Sequence, residues 1–253
     1  MLQVVCIKQV PDTETRVKVA ADGRTLDPSG VTLILNPYDE FAVEQALKVK
    51  EQLGAGEVVV MTVGGAGVQT TLRNVLAMGA DRAVHLKTDA VAPDGLSVAR
   101  VLADAIRALD AGAAGLIWFG KQAVDDDAAQ VGPMVATLLG RPCVTVLAKF
   151  ELAGQTAKVE REIEGGREQI DVPLPAVFTT DKGLNEPRYA SLKGIMAAKK
   201  KLIEERAVDL GTPAIERLAL ELPPPRKPGR IVGEGVAAIP ELIRALREEA
   251  KVL

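Results

Sequence analysis

The string GKQAVDDDAAQVGP begins at Gly120, directly after the apolar run GLIWF, and gathers the groups that nucleotide binding needs. Lys121 and Gln122 offer a cation and an amide, and Asp125, Asp126 and Asp127 offer three consecutive carboxylates that accept hydrogen bonds from ribose hydroxyls. On this reading the backbone through Ala123, Val124, Ala128 and Ala129 runs around a nucleotide, and the helix start at Gln130 and Val131 faces phosphate. The plainer alternative is that the carboxylates only cap the helix predicted from Ala128 and complement its dipole. A second segment, NPYDEF at Asn36, has Pro37 at a helix start, where Asn36 is placed to cap the helix while presenting its amide to a ligand. The plain reading of Asn36 to Asp39 is an ordinary capped helix. A third, VGGAG at Val63, lies between a strand and a helix, where small residues let backbone N–H groups approach an anion. It lacks the spacing of both G-x-G-x-x-G and the Walker loop, so a kinase or dinucleotide dehydrogenase is disfavoured.

Other chemistries are poorly supplied. His85 is the only histidine and sits in the strand-like run RAVHL, so no multi-histidine metal site and no ready catalytic triad is expected. Cys6 and Cys143 each lie within Val-rich runs and read as small core residues. With 34 acidic against 31 basic residues, the net charge of −3 leaves no global field to attract nucleic acid. No apolar run reaches the roughly 20 residues of a membrane-spanning helix. The start MLQVVCIKQVPD reads as a buried strand without a signal-peptide cleavage site, so a soluble cytoplasmic protein is expected.

The elements that must position these residues alternate. Short Val/Ile-rich runs at Gln3, Glu57, Arg82 and Gly115 read as buried parallel strands. Helical periods start near Tyr38, Val68, Gly95 and Ala128, and the first two end at glycines. The pattern specifies a doubly wound α/β sheet whose ligands bind at the carboxyl ends of the strands. RVKVAADGRTLDP predicts an inserted hairpin turning at Asp22 and Gly23. After Gly140, alternating charged and apolar residues through EQIDVPLPAVFTT predict an antiparallel extension of the sheet. The α/β domain is expected over 1–208, and a C-terminal arm over 209–253. In that arm the prolines of ELPPPRKPGR form a stiff connector before a last amphipathic helix, PELIRALREEAKVL. An arm of this kind lies on a partner or is a solvated tail.

One further string, DKGLNEPRYASLKGIMAAKKK at Asp181, contains a leucine flanked by Ser191 and Lys193 in a polar loop. Leu192 has the composition of an anchor that enters a partner's pocket. Lys199, Lys200 and Lys201 read as a solvated helix end.

The strings NPYDEFAVEQALKVKE, LAMGADRAVHL, GKQAVDDDAAQVGP, VEREIEGGREQIDVPLPAVFTT and LNEPRYASLKGIMAAKKK, in this order from about Val4 to Lys201, closely resemble the beta subunits of electron-transfer flavoproteins. The resemblance implies a heterodimer whose alpha subunit holds most of the FAD while this chain buries an AMP. Electrons then pass from dehydrogenases, such as the acyl-CoA type, to a quinone reductase or another acceptor. The chemistry belongs to the flavin, with no catalytic residue in this chain. Carried over position by position, the AMP pocket falls on the backbone at Cys6, on Asn36, Pro37, Tyr38 and Asp39, on Val63, and on the loop from Gly120 to Val131. Leu192 matches the family's partner-anchoring leucine. Glu162 resembles a glutamate that pairs with an arginine of the alpha subunit and parks a mobile flavin domain. Thr13 stands where some members carry a tyrosine near the flavin ring. Related electron-bifurcating proteins hold a second FAD where AMP would sit, with a glycine where this chain has Asp126; a carboxylate there opposes a diphosphate. A free-standing nucleotide-binding stress protein is the alternative of another class, and it leaves Glu162 and Leu192 without a purpose. An ATP-pyrophosphatase-like enzyme would need a Ser-Gly-Gly-x-Asp-Ser-like loop where this chain has KQVPDTE.

Overall fold

The computed structural model describes residues 1–90, 94–109, 114–225 and 228–253. They form two compact units, Met1–Ala219 and Leu220–Leu253. In the first unit the chain runs β1 (Leu2–Cys6), β2 (Gln9–Pro11), β3 (Leu33–Leu35), α1 (Pro37–Leu53), β4 (Glu57–Gly64), α2 (Val68–Met78), β5 (Arg82–Lys87), α3 (Gly95–Leu109) and β6 (Ala114–Gly120). It continues through α4 (Val131–Leu139), β7 (Cys143–Ala153), β8 (Thr156–Ile163), β9 (Gly166–Pro173), β10 (Ala176–Thr180), α5 (Leu192–Ala198) and β11 (Ile203–Ala207).

Nine strands form one sheet in the order β11-β5-β4-β1-β6-β10-β7-β8-β9. Every pairing from β11 to β7 is parallel, and β7, β8 and β9 pair antiparallel. Helices cover both faces of the parallel part, which is why its strands read as unbroken apolar runs. Along β1, Val5 enters the core shared with α1 and α2, whereas Val4 and Cys6 enter the one shared with α3 and α4. Gln3 is buried among them because both ends of its amide are satisfied. Its Nε2 donates to Ala46 O at 2.9 Å, and its Oε1 accepts from Trp118 Nε1 at 3.0 Å.

α1 starts at Pro37 and stops at Gly54, whose φ of 64° is the left-handed conformation that glycine adopts without strain. The doubly wound fold is the one expected, but four local details differ. β10 lies in the middle of the parallel sheet, between β6 and β7, so the antiparallel wing ends at β9. The RVKVAADGRTLDP hairpin reduces to a single bridge between Val19 and Leu26, with Asp22 accepting from Arg24 N, Thr25 N and Thr25 Oγ1 at its turn. α4 begins at Val131 and not at Ala128, since Asp127 and Ala129 adopt positive φ. Finally, Leu192 is the first residue of α5, capped by Ser191 Oγ accepting from Gly194 N at 3.0 Å, and is not in a loop.

The segment 209–219, expected to begin the arm, stays with the first unit. Asp94 accepts from Ser97 N at the head of α3 and from Ala214 N, both at 2.7 Å, and Glu216 pairs with Arg24. The second unit holds a 3₁₀ turn at Val236–Ala238, then α6 (Ile239–Arg244), then a π turn at Ala245–Glu249, where one continuous helix was expected. Residues 226–227 of the proline-rich connector lie outside the described residues. Within this unit Leu222, Ile231, Val236, Leu242 and Ile243 stay exposed.

Candidate functional site

In the sheet, β4 and β5 lie to one side of β1 while β6 and β10 lie to the other. The crevice at the carboxyl ends of β1 and β6 is therefore the topological switch point, where open α/β sheets bind ligands. Cys6 ends β1, Gly120 ends β6, and Asn36 to Asp39 open α1 between them.

Asp39 fastens this corner. Its Oδ2 accepts from the backbone N–H of Lys8 at 2.7 Å and its Oδ1 from that of Gly120 at 2.9 Å, so one carboxylate clamps the chain ends leaving β1 and β6. Burial pushes its pKa up to about 7 against the pull of those N–H donors. Gly120 has no substitute here. A β-carbon on it would lie 2.4 Å from Asp39 Oδ1 and 2.7 Å from Tyr38 Cβ. Burial, and then the Asp39 charge, drive the Cys6 thiol far above its ordinary pKa, which leaves it an inert core group. Burial also pushes the half-buried Cys143 up to about 11.

Asn36 departs from the expected role. It makes no side-chain cap on α1. Its Nδ2 donates to Gln122 O at 2.9 Å and its Oδ1 accepts from Val124 N at 3.2 Å, so the buried amide moulds the loop after β6. The carboxylates likewise do not cap α4, whose N-cap Gln130 has no side-chain bond. Asp125 and Asp126 instead receive the ammonium of Lys8 at 2.8 and 3.2 Å, and Asp127 accepts from Gln122 Nε2 at 2.5 Å. Ala123 and Val124 are half-buried, whereas Asp125, Asp126, Asp127, Ala128, Ala129 and Gln130 form the exposed outer rim. Gln130 covers Gly95 at the head of α3, and Val131 starts α4. Val63 sits at the end of β4, and the glycine loop after it is tied to β2 by Gln9, whose Nε2 donates to Gly67 O at 3.3 Å and to Thr71 Oγ1 on α2 at 2.8 Å.

Lys121 belongs to the corner but points its charge elsewhere. Its ammonium pairs with Asp181 at 3.0 Å and stands 4.9 Å from the centre of the Tyr38 ring. Burial opposes its charge, but the hydrogen bond and charge of Asp181 outweigh it and raise the pKa. This pair starts a chain of anchors along the segment that follows β10. Asn185 Nδ2 donates to Phe41 O at 3.0 Å, and Arg188 binds the buried Glu44 at 2.7 Å and Glu51 at 2.5 Å, both on α1. Those two carboxylates hold the Arg188 guanidinium even more firmly protonated than usual. Farther on, Lys201 Nζ donates to Leu76 O and Ala80 O at the end of α2, so it is a helix-end clamp and not part of a solvated run.

From this braced segment a set of apolar side chains projects. Leu192 is 85% exposed and Tyr189 98%, with Met196 and Ile195 beside them on the first turns of α5. Gly194 permits the mount, because a β-carbon there would lie 2.3 Å from Ala77 O. Glu162 lies elsewhere, near the tip of the β8–β9 hairpin and three strands away from β6 in the sheet. The structure thus unites Cys6, Asn36 to Asp39 and the loop from Gly120, and leaves Leu192 and Glu162 as separate surface features.

Lys8, Asp181 and Arg188 were not singled out in the sequence. Lys8 carried a signal, a lone cation two residues past a buried strand that ends in the crevice. Asp181 and Arg188 carried none, because their partners lie 60 and 144 positions away. Among the described residues no cluster of metal-binding side chains occurs and no helix is long and apolar enough to cross a membrane.

The sequence model of the electron transfer flavoprotein domain family matches residues 24–210. The chain is 42% identical to the electron transfer flavoprotein subunit beta of Bradyrhizobium diazoefficiens, with all of both chains covered. It is 39% identical to that of Bacillus subtilis over 98% of each chain, and 41% identical to the mitochondrial subunit of Arabidopsis thaliana over 99% of each.

Proposed function

The chain belongs to the electron transfer flavoprotein family, among its beta subunits, and from that premise we propose that it holds AMP at the switch point and docks redox partners through Leu192. The single observation that supports this best is the corner where Asp39 clamps β1 to β6 beneath a loop rich in hydrogen-bonding groups. The donor set suits a mononucleotide. Lys8, paired with Asp125 and Asp126, offers a cation for phosphate, the head of α4, which no side chain caps, offers dipolar donors, and the rim carboxylates offer acceptors for ribose hydroxyls. The same three carboxylates repel a second phosphate, which favours AMP over a second FAD.

FAD, held mainly by an alpha subunit, supplies the redox chemistry when bound. This chain's part is to wall one side of that site and to present Leu192 to dehydrogenases, of which the acyl-CoA type is one class. Electrons leave to a quinone reductase or another acceptor. The exposed apolar side chains of Leu220–Leu253 fit an arm that lies on the alpha subunit. Glu162, on its protruding hairpin, fits a contact with an arginine of that subunit's flavin domain. The protein acts in the cytoplasm.

The test is to purify the heterodimer, denature it and identify what is released. One AMP and one FAD per heterodimer are expected. Two flavins and no AMP would instead support the electron-bifurcating reading.

A further inference from the structure

We infer that Arg167 is a built-in competitor for Glu162, so that docking of the partner's cation is tuned by an intrachain ion pair that must first be broken. The inference rests on the docking role proposed for Glu162.

Glu162 and Arg167 face each other directly across the antiparallel pair β8–β9. Arg167 Nη2 lies 3.0 Å from Glu162 Oε1, and Arg167 Nη1 lies 3.8 Å from Glu160 Oε2. The guanidinium thus spans two carboxylates that share one face of β8, two residues apart. Glu160 is already well served, since Lys149 and Gln169 each donate to its Oε1 at 3.2 Å. The Lys149 bond above all holds its pKa below the usual range. Among the described residues Glu162 has no such additional cover, and its exposed carboxylate pairs with Arg167 alone.

Location makes the pair accessible. Ile163 pairs with Gly166, so the hairpin closes through Glu164 and Gly165, whose φ of 80° suits the tight turn. β9 is the edge of the sheet, and the Glu162 and Arg167 side chains are 62% and 60% exposed. A guanidinium approaching from a partner finds the carboxylate it would bind already occupied by a group of its own kind. Its apparent affinity is divided by one plus the intrachain pairing constant. For exposed pairs the pairing amounts to about a 1.4- to fivefold bias. That is small for stability but large enough to set the balance of a mobile domain sampling two orientations.

The experiment measures the ratio of docked to undocked orientations in the intact FAD-loaded heterodimer, by single-molecule distances or small-angle scattering, for five forms: unmodified, Arg167→Gln, Arg167→Lys, Glu162→Ala and the double variant of Arg167→Gln with Glu162→Ala. Arg167→Gln is expected to raise the ratio about 1.4- to fivefold, Glu162→Ala to lower it, and the double variant to match Glu162→Ala. Arg167→Lys, which keeps the charge, is expected to bring the ratio most of the way back to that of the unmodified protein. If Arg167→Gln leaves the ratio unchanged while Glu162→Ala lowers it, the competition is overturned and the docking role stands. A rise that persists without Glu162 also overturns the competition, because it shows Arg167 acting on its own. If Glu162→Ala leaves the ratio unchanged, the docking role falls, and this inference with it.

Discussion

Asp39 and Leu192 each occupy surroundings that their side chain resists, and they are reconciled in opposite ways. Asp39 is a carboxylate under the surface, and its two oxygens are met within the chain by the N–H groups of Lys8 and Gly120. Leu192 is an aliphatic side chain held 85% exposed among the described residues. A buried polar group that is fully partnered fixes shape, because its directional bonds admit one arrangement of the strands around it. An exposed apolar group on a rigid mount has no such internal return and gains only when another molecule removes it from water. The first region is therefore complete by itself, and the second is completed by a partner.

The largest effect that probes this comparison is expected from the brace between the regions. Arg188→Ala leaves Glu44 buried and without its cation, which should destabilise the chain by about 3 kcal/mol. The melting temperature measures that loss, and weaker docking should accompany it. Leu192→Ala should do the reverse, leaving the melting temperature and nucleotide content unchanged while weakening dehydrogenase docking on the order of ten- to a hundredfold. The dehydrogenase concentration that gives half-maximal reduction reads it. A lowered melting temperature with unchanged half-saturation would erase the contrast. Next comes Gly120→Ala, whose β-carbon collides with Asp39 and Tyr38. It should cost roughly 1–3 kcal/mol and release nucleotide while leaving half-saturation in nucleotide-replete samples unaltered. Chemical denaturation and mass spectrometry check the two parts.

The smallest expected effect is a pH slope. Because burial raises the folded-state pKa of Asp39 to about 7 from 3.8, the folded chain binds its proton more tightly than the unfolded chain does. That contribution to stability is fully present below about pH 4, declines as pH rises towards 7, and is flat above it, with a slope of at most about 1.4 kcal/mol per pH unit. Asp39→Asn should remove this component, and denaturant midpoints measured from pH 4 to 8 would show whether it does.

Much of the fold was legible because its signals are local. The apolar runs of β1, β4, β5 and β6, and the glycines that end α1 and α2, announce their own conformations. β10 was not, because AVFTT looks the same as an edge strand or a central one, and its place depends on β6 and β7 accepting it on both sides. The site shows the same division. The residues of the corner stood out by type, yet Asn36 was read as a cap because capping is what asparagine does nearby in sequence, whereas its partners here are 86 and 88 positions on. Arg188 and Asp181 were invisible for the same reason.

The place of β10 also bears on the order in which the chain becomes native. Residues up to Gly120 contain β5, β4, β1 and β6, which can assemble as synthesis proceeds, and β7, β8 and β9 can form by hairpin closure alone. The two parts share no strand pairing until Ala176–Thr180 enters between β6 and β7. That insertion is what joins the two parts into one sheet. The segment bearing Leu192 follows immediately and takes its anchors from Lys121, Glu44 and Glu51, which lie on the half completed first. The apolar set on α5 is therefore displayed in its final geometry only once the sheet is whole, so a half-made subunit has nothing in register to offer a partner.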